Sequence, residues 1–148
     1  MGFFIYSVGY YLSGIQWMSI DEKETKYNSS SLSTDEIQGY AKQLKQVMLH
    51  DTPHLKNDLR LKDLANMMNV STHSISQIIN QSFMCSFFDF INQYRIEEAK
   101  KLIIAKPEIT LLQVAFDAGF NNKTSFVNAF KKFEKKTPST FRKEVIHP

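Results

Sequence analysis

Two clusters of short polar and cationic side chains stand out in this 148-residue chain. The first is Thr72, His73, Ser76, Gln77 and Asn80; the second is Asn122, Lys123, Thr124, Val127, Asn128 and Lys131. Hydroxyl, carboxamide, imidazole and ammonium groups of this kind hydrogen-bond to base edges and pair with phosphate oxygens. Within each cluster they recur every three or four residues, the spacing of one helix face. Ser, Thr and Asn at a helix start are also ordinary N-caps, and any soluble helix shows a polar face. A second observation is needed before the clusters mean more than that.

Residue types used in catalysis are present but poorly placed for it. The histidines are His50, His54, His73 and His147. His50 and His54 have the i, i+4 spacing of a helical metal pair, but Pro53 breaks the helix that would align them, and no cysteine or second pair completes a site. Exposed or capping positions are expected for all four. Cys85 is the single cysteine; it has no histidine partner, reads as a small packing residue, and agrees with a reducing compartment. Glu97-Glu98 beside Lys100-Lys101 reads as a solvated helix face. The five glycines form no phosphate loop. The expectation is no catalytic constellation, no metal and no cofactor.

The elements that must hold the two clusters supply the second observation. In "LKDLANMMNVSTHSISQIINQSF" (61–83), Leu64-Ala65 precede Asn69-Val70, and Ile75, Ile78 and Ile79 follow. In the second copy, Val114-Ala115 precede Gly119-Phe120, and Phe126, Ala129 and Phe130 follow. In both, Ala leads the turn residue by four, and Asn or Gly tolerates the left-handed conformation of a tight helix exit. The small Ala lets the second helix cross closely, and Val70 or Phe120 plugs the corner. This pattern predicts two helix-turn-helix motifs, over about 61–83 and 110–133, with second helices over about 72–82 and 122–133. Between them, "SFFDFINQYRIEEAKKLIIA" (86–105) reads as one long helix closed by Pro107. Its span of about 30 Å is close to the ~34 Å repeat of B-DNA.

The rest of the chain divides by composition. Residues 1–54 carry four Lys/Arg against six Asp/Glu, a net −2, whereas residues 55–148 carry fourteen against nine, a net +5. The basic part points to an anionic partner. Residues 1–20 are uncharged from Gly2 to Ile20, which reads either as the stump of a transmembrane helix or as an apolar arm that packs on a partner or on the domain. A polar linker over 21–33 follows, and Ser33 with Glu36 is a capping-box start for a leading helix over 34–54, stopped by Pro53. No alternating run argues for a strand. The fold expected is all-α.

Residues 55–144 resemble the DNA-binding domain of the arabinose-regulator (AraC/XylS) family of bacterial transcription factors. The residues that carry the resemblance are "DLANMMNVSTHSISQIIN", "FINQYRIEEAKKLI", "ITLLQVAFDAGFNNKTSFVNAFKKF" and "TPSTFRK". It implies seven helices in two helix-turn-helix subdomains of homeodomain-like tri-helical units, joined by the long helix. It implies double-stranded DNA as partner, with contacts from His73, Ser76, Gln77, Lys123, Thr124, Val127 and Asn128. A homodimer, RNA polymerase, and a membrane-embedded sensor attached through residues 1–20 are the further partners it admits, on the cytoplasmic side. Two positions depart from the family pattern, Asn69 and Met84, each commonly glycine. Neither predicted recognition helix carries an arginine, and Asn and Gln pair best with adenine. An A·T-leaning site read by Gln77, Asn80 and Asn128 is therefore expected, with Val127 against a thymine methyl. The alternative from another class is a helical protein-interaction module that does not bind DNA.

Overall fold

The chain enters its first helix through the expected capping box. In the computed structural model, which describes residues 32–146, the Glu36 carboxylate accepts from the Ser33 backbone N–H at 2.9 Å, and the Ser33 hydroxyl oxygen accepts from the Glu36 N–H at 3.4 Å. The apolar segment expected over residues 1–20, and all but the end of the linker expected over 21–33, lie outside the described residues. Helix α1 runs from Thr34 to His50. It ends four residues short of the expectation, because Asp51 caps it and Pro53 opens a separate 3-10 turn, Pro53–Leu55.

Six further α-helices follow among the described residues, with no strand. They are α2 (Leu61–Met67), α3 (Thr72–Phe83), α4 (Phe87–Ala105), α5 (Leu111–Asp117), α6 (Lys123–Glu134) and α7 (Pro138–Ile146). A Ser, Thr or Asn side chain caps the start of most of them by accepting from the N–H three residues on: Ser71 for α3, Ser86 for α4, Thr110 for α5, Asn122 for α6 and Thr137 for α7. Without those oxygens the first-turn N–H groups would have only water.

The helices form two halves that share α4. In the first, α1 and α2 pack on α3, and α3 packs on α4. Ile37, Leu44 and Met48 of α1, Leu64 of α2, and Ile75, Ile78 and Ile79 of α3 are buried. The compact unit begins at Ser33, so α1 belongs to the same body as the helix-turn-helix it precedes. In the second half, Ile96, Ala99 and Ile103 of α4 form one core with Val114, Ala115, Ala118, Phe120, Phe126, Ala129 and Phe130. Phe120, Phe126, Phe130 and Phe141 make a chain of ring contacts 5.4–5.6 Å apart that carries this core from the turn to α7.

Each first helix ends in the same backbone device. The Val70 N–H donates to the Ala65 carbonyl (3.0 Å) and the Asn69 N–H to the Asn66 carbonyl (3.1 Å). In the second copy Phe120 donates to Ala115 and Gly119 to Phe116, both at 2.9 Å. These are the two bonds of a Schellman motif, which needs a left-handed residue after the helix. Asn69 (φ 52°) and Gly119 (φ 91°) supply it. Phe120 is 2% exposed and fills its corner, while Val70 is only half-buried.

The second turn is held against the segment leading out of α1. A Cβ on Gly119 would lie 2.3 Å from the His54 carbonyl oxygen. That oxygen accepts from Arg95 Nε at 2.8 Å, and the same guanidinium donates from Nη2 to the Lys56 carbonyl at 2.7 Å while lying 5.6 Å from the Phe120 ring centroid. His54 was expected at an exposed or capping position; it is instead 5% exposed, its ring 5.6 Å from that of Tyr94. Its Nδ1 is buried without a hydrogen-bond partner. The reason is Pro53, which turns the chain inward so that the His54 backbone meets α4.

Gly119→Ala combines left-handed strain of about 1–2 kcal/mol with an overlap on a backbone oxygen, so a loss of at least about 2 kcal/mol is expected in urea melts. Asn69→Gly should change stability by less than about 0.5 kcal/mol, since Asn already tolerates that conformation and Gly only loosens the unfolded chain. Burial also lowers the His54 pKa from the ordinary value of 6.5, more than the carboxylate of Glu98 raises it. The unfolded chain then binds a proton that the folded chain refuses, so stability is full above about pH 6.5 and falls as pH drops toward the lowered value. Melting temperature should decline over that window, and His54→Phe should flatten the decline; an unchanged slope in the variant would exclude His54 as its source.

Candidate nucleic-acid interface

The polar clusters fall on α3 and α6, the second helix of each helix-turn-helix. Both helices have twelve residues, and both expose the face opposite their buried Ile75/Ile78/Ile79 or Phe126/Ala129/Phe130. The first helices, α2 and α5, are offset by fifty positions, but the second helices are offset by fifty-one. The second turn is thus one residue longer. With that offset the positions off the buried face coincide: Thr72 with Lys123, His73 with Thr124, Ser76 with Val127, Gln77 with Asn128 and Asn80 with Lys131. Two helices that differ in nearly every residue present side chains at the same helical positions.

Asn122 stands apart from its cluster. It precedes α6 with an extended backbone, and its Oδ1 accepts from the Ser125 N–H at 2.8 Å. It is the counterpart of the cap Ser71, whose hydroxyl oxygen accepts from Ser74 N–H at 3.0 Å. Thr72, His73, Asn80, Lys123, Thr124, Asn128 and Lys131 are exposed, whereas Ser76, Gln77 and Val127 are half-buried. Val127 packs at the edge of the second core and, with Leu111, Lys123 and Pro138, lines a small apolar cleft. Asn121 and Ser125, absent from the expected contacts, are exposed at the entrance to α6 and border a cleft between it and α4. The Asn121-Asn122 run was the signal that could have found them.

The two faces differ in charge. Helix α3 contains no Lys, Arg, Asp or Glu, and His73 is its only titratable side chain. Helix α6 carries Lys123, Lys131, Lys132 and Glu134. Lys132 pairs with Asp89 at the start of α4, and Glu134 accepts from Lys100 of α4 at 2.9 Å. These pairs tie α6 to the central helix. Lys123 and Lys131 form no ion pair among the described residues, so their charges remain for an outside anion. None of the arginines lies on either helix: Arg95 is committed to the junction, Arg60 precedes α2 and Arg142 lies on α7.

Helix α3 leaves through Met84, a left-handed residue (φ 54°) that is 85% exposed, and Lys135 (φ 59°) ends α6 in the same way. The exit after α3 therefore keeps the backbone of a glycine without the glycine. Among the described residues no group of His, Cys, Asp and Glu is placed to hold a metal ion. Burial and the nearby Asp89 carboxylate push the Cys85 thiol up, away from a reactive thiolate. No helix of the described residues is long and apolar enough to cross a membrane.

This arrangement is shared with known proteins. A family profile described as a helix-turn-helix domain matches residues 64–144. The Msm operon regulatory protein of Streptococcus mutans is 28% identical over 113 residues, which cover 76% of this chain and 39% of that protein. An uncharacterized HTH-type transcriptional regulator of Staphylococcus aureus is 30% identical over 115 residues, 78% of this chain and 14% of the relative. The chain therefore spans well under half of either curated relative. Among solved structures, the C-terminal domain of AraT, a response regulator from Geobacillus stearothermophilus, is similar at 25% identity and a TM-score of 0.58, over 78% of this chain and 88% of that one. A transcriptional regulator with an AraC-type DNA-binding domain from Chromobacterium violaceum shares the fold at 17% identity and a TM-score of 0.63, over 75% of this chain and 96% of the other. The chain belongs to this helix-turn-helix family, and its matched region has the fold of an AraC-type DNA-binding domain.

Proposed function

We propose that α3 and α6 are two recognition helices that enter successive major-groove segments on one face of a DNA duplex and read its sequence. The observation that carries this reading is the coincidence, at an offset of fifty-one, of the positions that the two helices leave off their buried faces. Thr72, His73, Ser76, Gln77 and Asn80 face the first segment; Lys123, Thr124, Val127, Asn128 and Lys131 face the second, with Asn122 and its neighbours Asn121 and Ser125 at the phosphates beside the helix entrance. Helix α4 is the spacer. Its nineteen residues correspond to about 28 Å, near the rise of one DNA turn.

Carboxamides without arginine favour adenine over guanine, so the reading is of an A·T-leaning site. The DNA-binding part occupies residues 34–144 in this proposal, with the linker of 21–33 and the apolar segment of 1–20 outside it. Work on DNA puts it in the cytoplasm. Dimerisation, contact with RNA polymerase and membrane attachment through residues 1–20 are proposals for surfaces other than the two recognition helices, and they rest on the family resemblance.

Selection from a randomised duplex pool tests the reading. Enrichment of a two-part motif with halves about one helical turn apart is expected. Lys123→Ala and Lys131→Ala should weaken binding to all sequences and each reduce the salt slope by about 1. Gln77→Ala and Asn128→Ala should relax preference at single positions, at about 1–3 kcal/mol each. Guanines that are invariant under both helices would overturn the A·T-leaning site; a pool that shows no enrichment would overturn sequence reading by this chain.

A further inference from the structure

The first recognition helix has no fixed positive charge, yet on the reading above it must lie against a polyanion. Its twelve residues include no lysine or arginine, and its counterpart positions on α6 hold Lys123 and Lys131 where α3 holds Thr72 and Asn80. The one side chain of α3 able to become a cation is His73, exposed in the first turn. The elements packed against α3 are α1, α2 and α4. Their titratable groups are Asp35, Glu36, Tyr40, Lys42, Lys45 and His50 on α1, Lys62 and Asp63 on α2, and Asp89, Tyr94, Arg95, Glu97, Glu98, Lys100 and Lys101 on α4. None forms an ion pair with His73. Several are engaged elsewhere: Lys45 lies over Phe83, Asp63 accepts from the Arg60 N–H, Asp89 pairs with Lys132, and Lys100 bridges Glu97 and Glu134.

We propose that His73 makes DNA binding by the first half proton-linked: its imidazole takes up a proton from solvent as α3 meets a phosphate, so affinity rises as pH falls. This rests on the DNA reading of α3. The physical basis is general. An anion close to an imidazole favours the imidazolium, and whatever raises proton affinity in the complex raises DNA affinity in the protonated protein by the same factor. The second half has no such dependence, because α6 carries lysines and no histidine. The two halves then respond differently to acidity: the grip of α6 is constant, and that of α3 strengthens below neutrality.

A labelled random-sequence duplex of about 30 base pairs, three helical turns, is a suitable probe, since a phosphate contact does not depend on sequence. Anisotropy titrations of the full 148-residue chain at constant ionic strength should span about pH 6 to 8, either side of the ordinary imidazole range. Far-UV circular dichroism at each pH confirms that the protein stays folded, which separates the effect from the opposite influence of buried His54. The wild type should bind about fivefold or more tightly at the acid end, on the scale of a phosphate pairing with an imidazolium. His73→Gln should remove most of that gain, and His73→Lys should bind tightly across the range with little pH dependence. A His73→Gln variant that keeps the full gain, or a wild type that binds with equal affinity at every pH, overturns the proton link alone. Absence of salt-sensitive binding by the wild type at any pH overturns the DNA reading with it.

Discussion

The close approach of Gly119 to the His54 carbonyl is the contact on which the rest of the molecule depends. No side chain fits there, since a Cβ would lie 2.3 Å from that oxygen. Because the gap is so small, Arg95 can reach both the His54 and Lys56 carbonyls from α4 and still lie over Phe120. One guanidinium thus joins the segment after α1, the central helix and the second turn. A carbonyl left unpaired in this half-buried place would cost about 1–3 kcal/mol, which is the reason an arginine with a forked set of donors serves where a lysine would not.

Around this junction the protein is a duplication whose halves have diverged in chemistry while keeping their geometry. Both turns end in the same pair of backbone hydrogen bonds, and both second helices end in a left-handed residue. The aliphatic face of α3, built from isoleucines, corresponds to an aromatic face on α6. At the corner the buried Phe120 takes the place of the half-buried Val70, and the second turn is one residue longer.

Charge is arranged by pairing as much as by composition. Of the lysines on α6, Lys132 is spent on Asp89, and Glu134 is neutralised by Lys100, so the end of that helix is bound to α4. Lys123 and Lys131 are left facing outward. A domain with only a small positive excess can therefore still direct fixed cations to one place, because the neighbouring charges of the same helix, Lys132 and Glu134, are paired with α4. The neutral α3 offers hydrogen bonding in place of fixed charge.

Much of this was legible in the sequence. The Ala–Asn and Ala–Gly spacings marked both turns, since a four-residue lead and a left-handed position are local requirements of the backbone. The isoleucine and phenylalanine periods marked the buried faces of α3 and α6, and the capping residues marked where helices start. Residue pattern and the resemblance it supports were enough to identify the AraC-type domain. What the sequence alone could not determine were facts that depend on distant segments meeting. His54 was expected outside and lies inside, because only the fold brings α4 across the segment that Pro53 turns inward. The separation of paired from unpaired lysines likewise emerges only in three dimensions. Spacing along a helix is set by neighbours in the chain, and is read from them; burial and pairing are set by whichever segment packs alongside, and tertiary structure alone decides those.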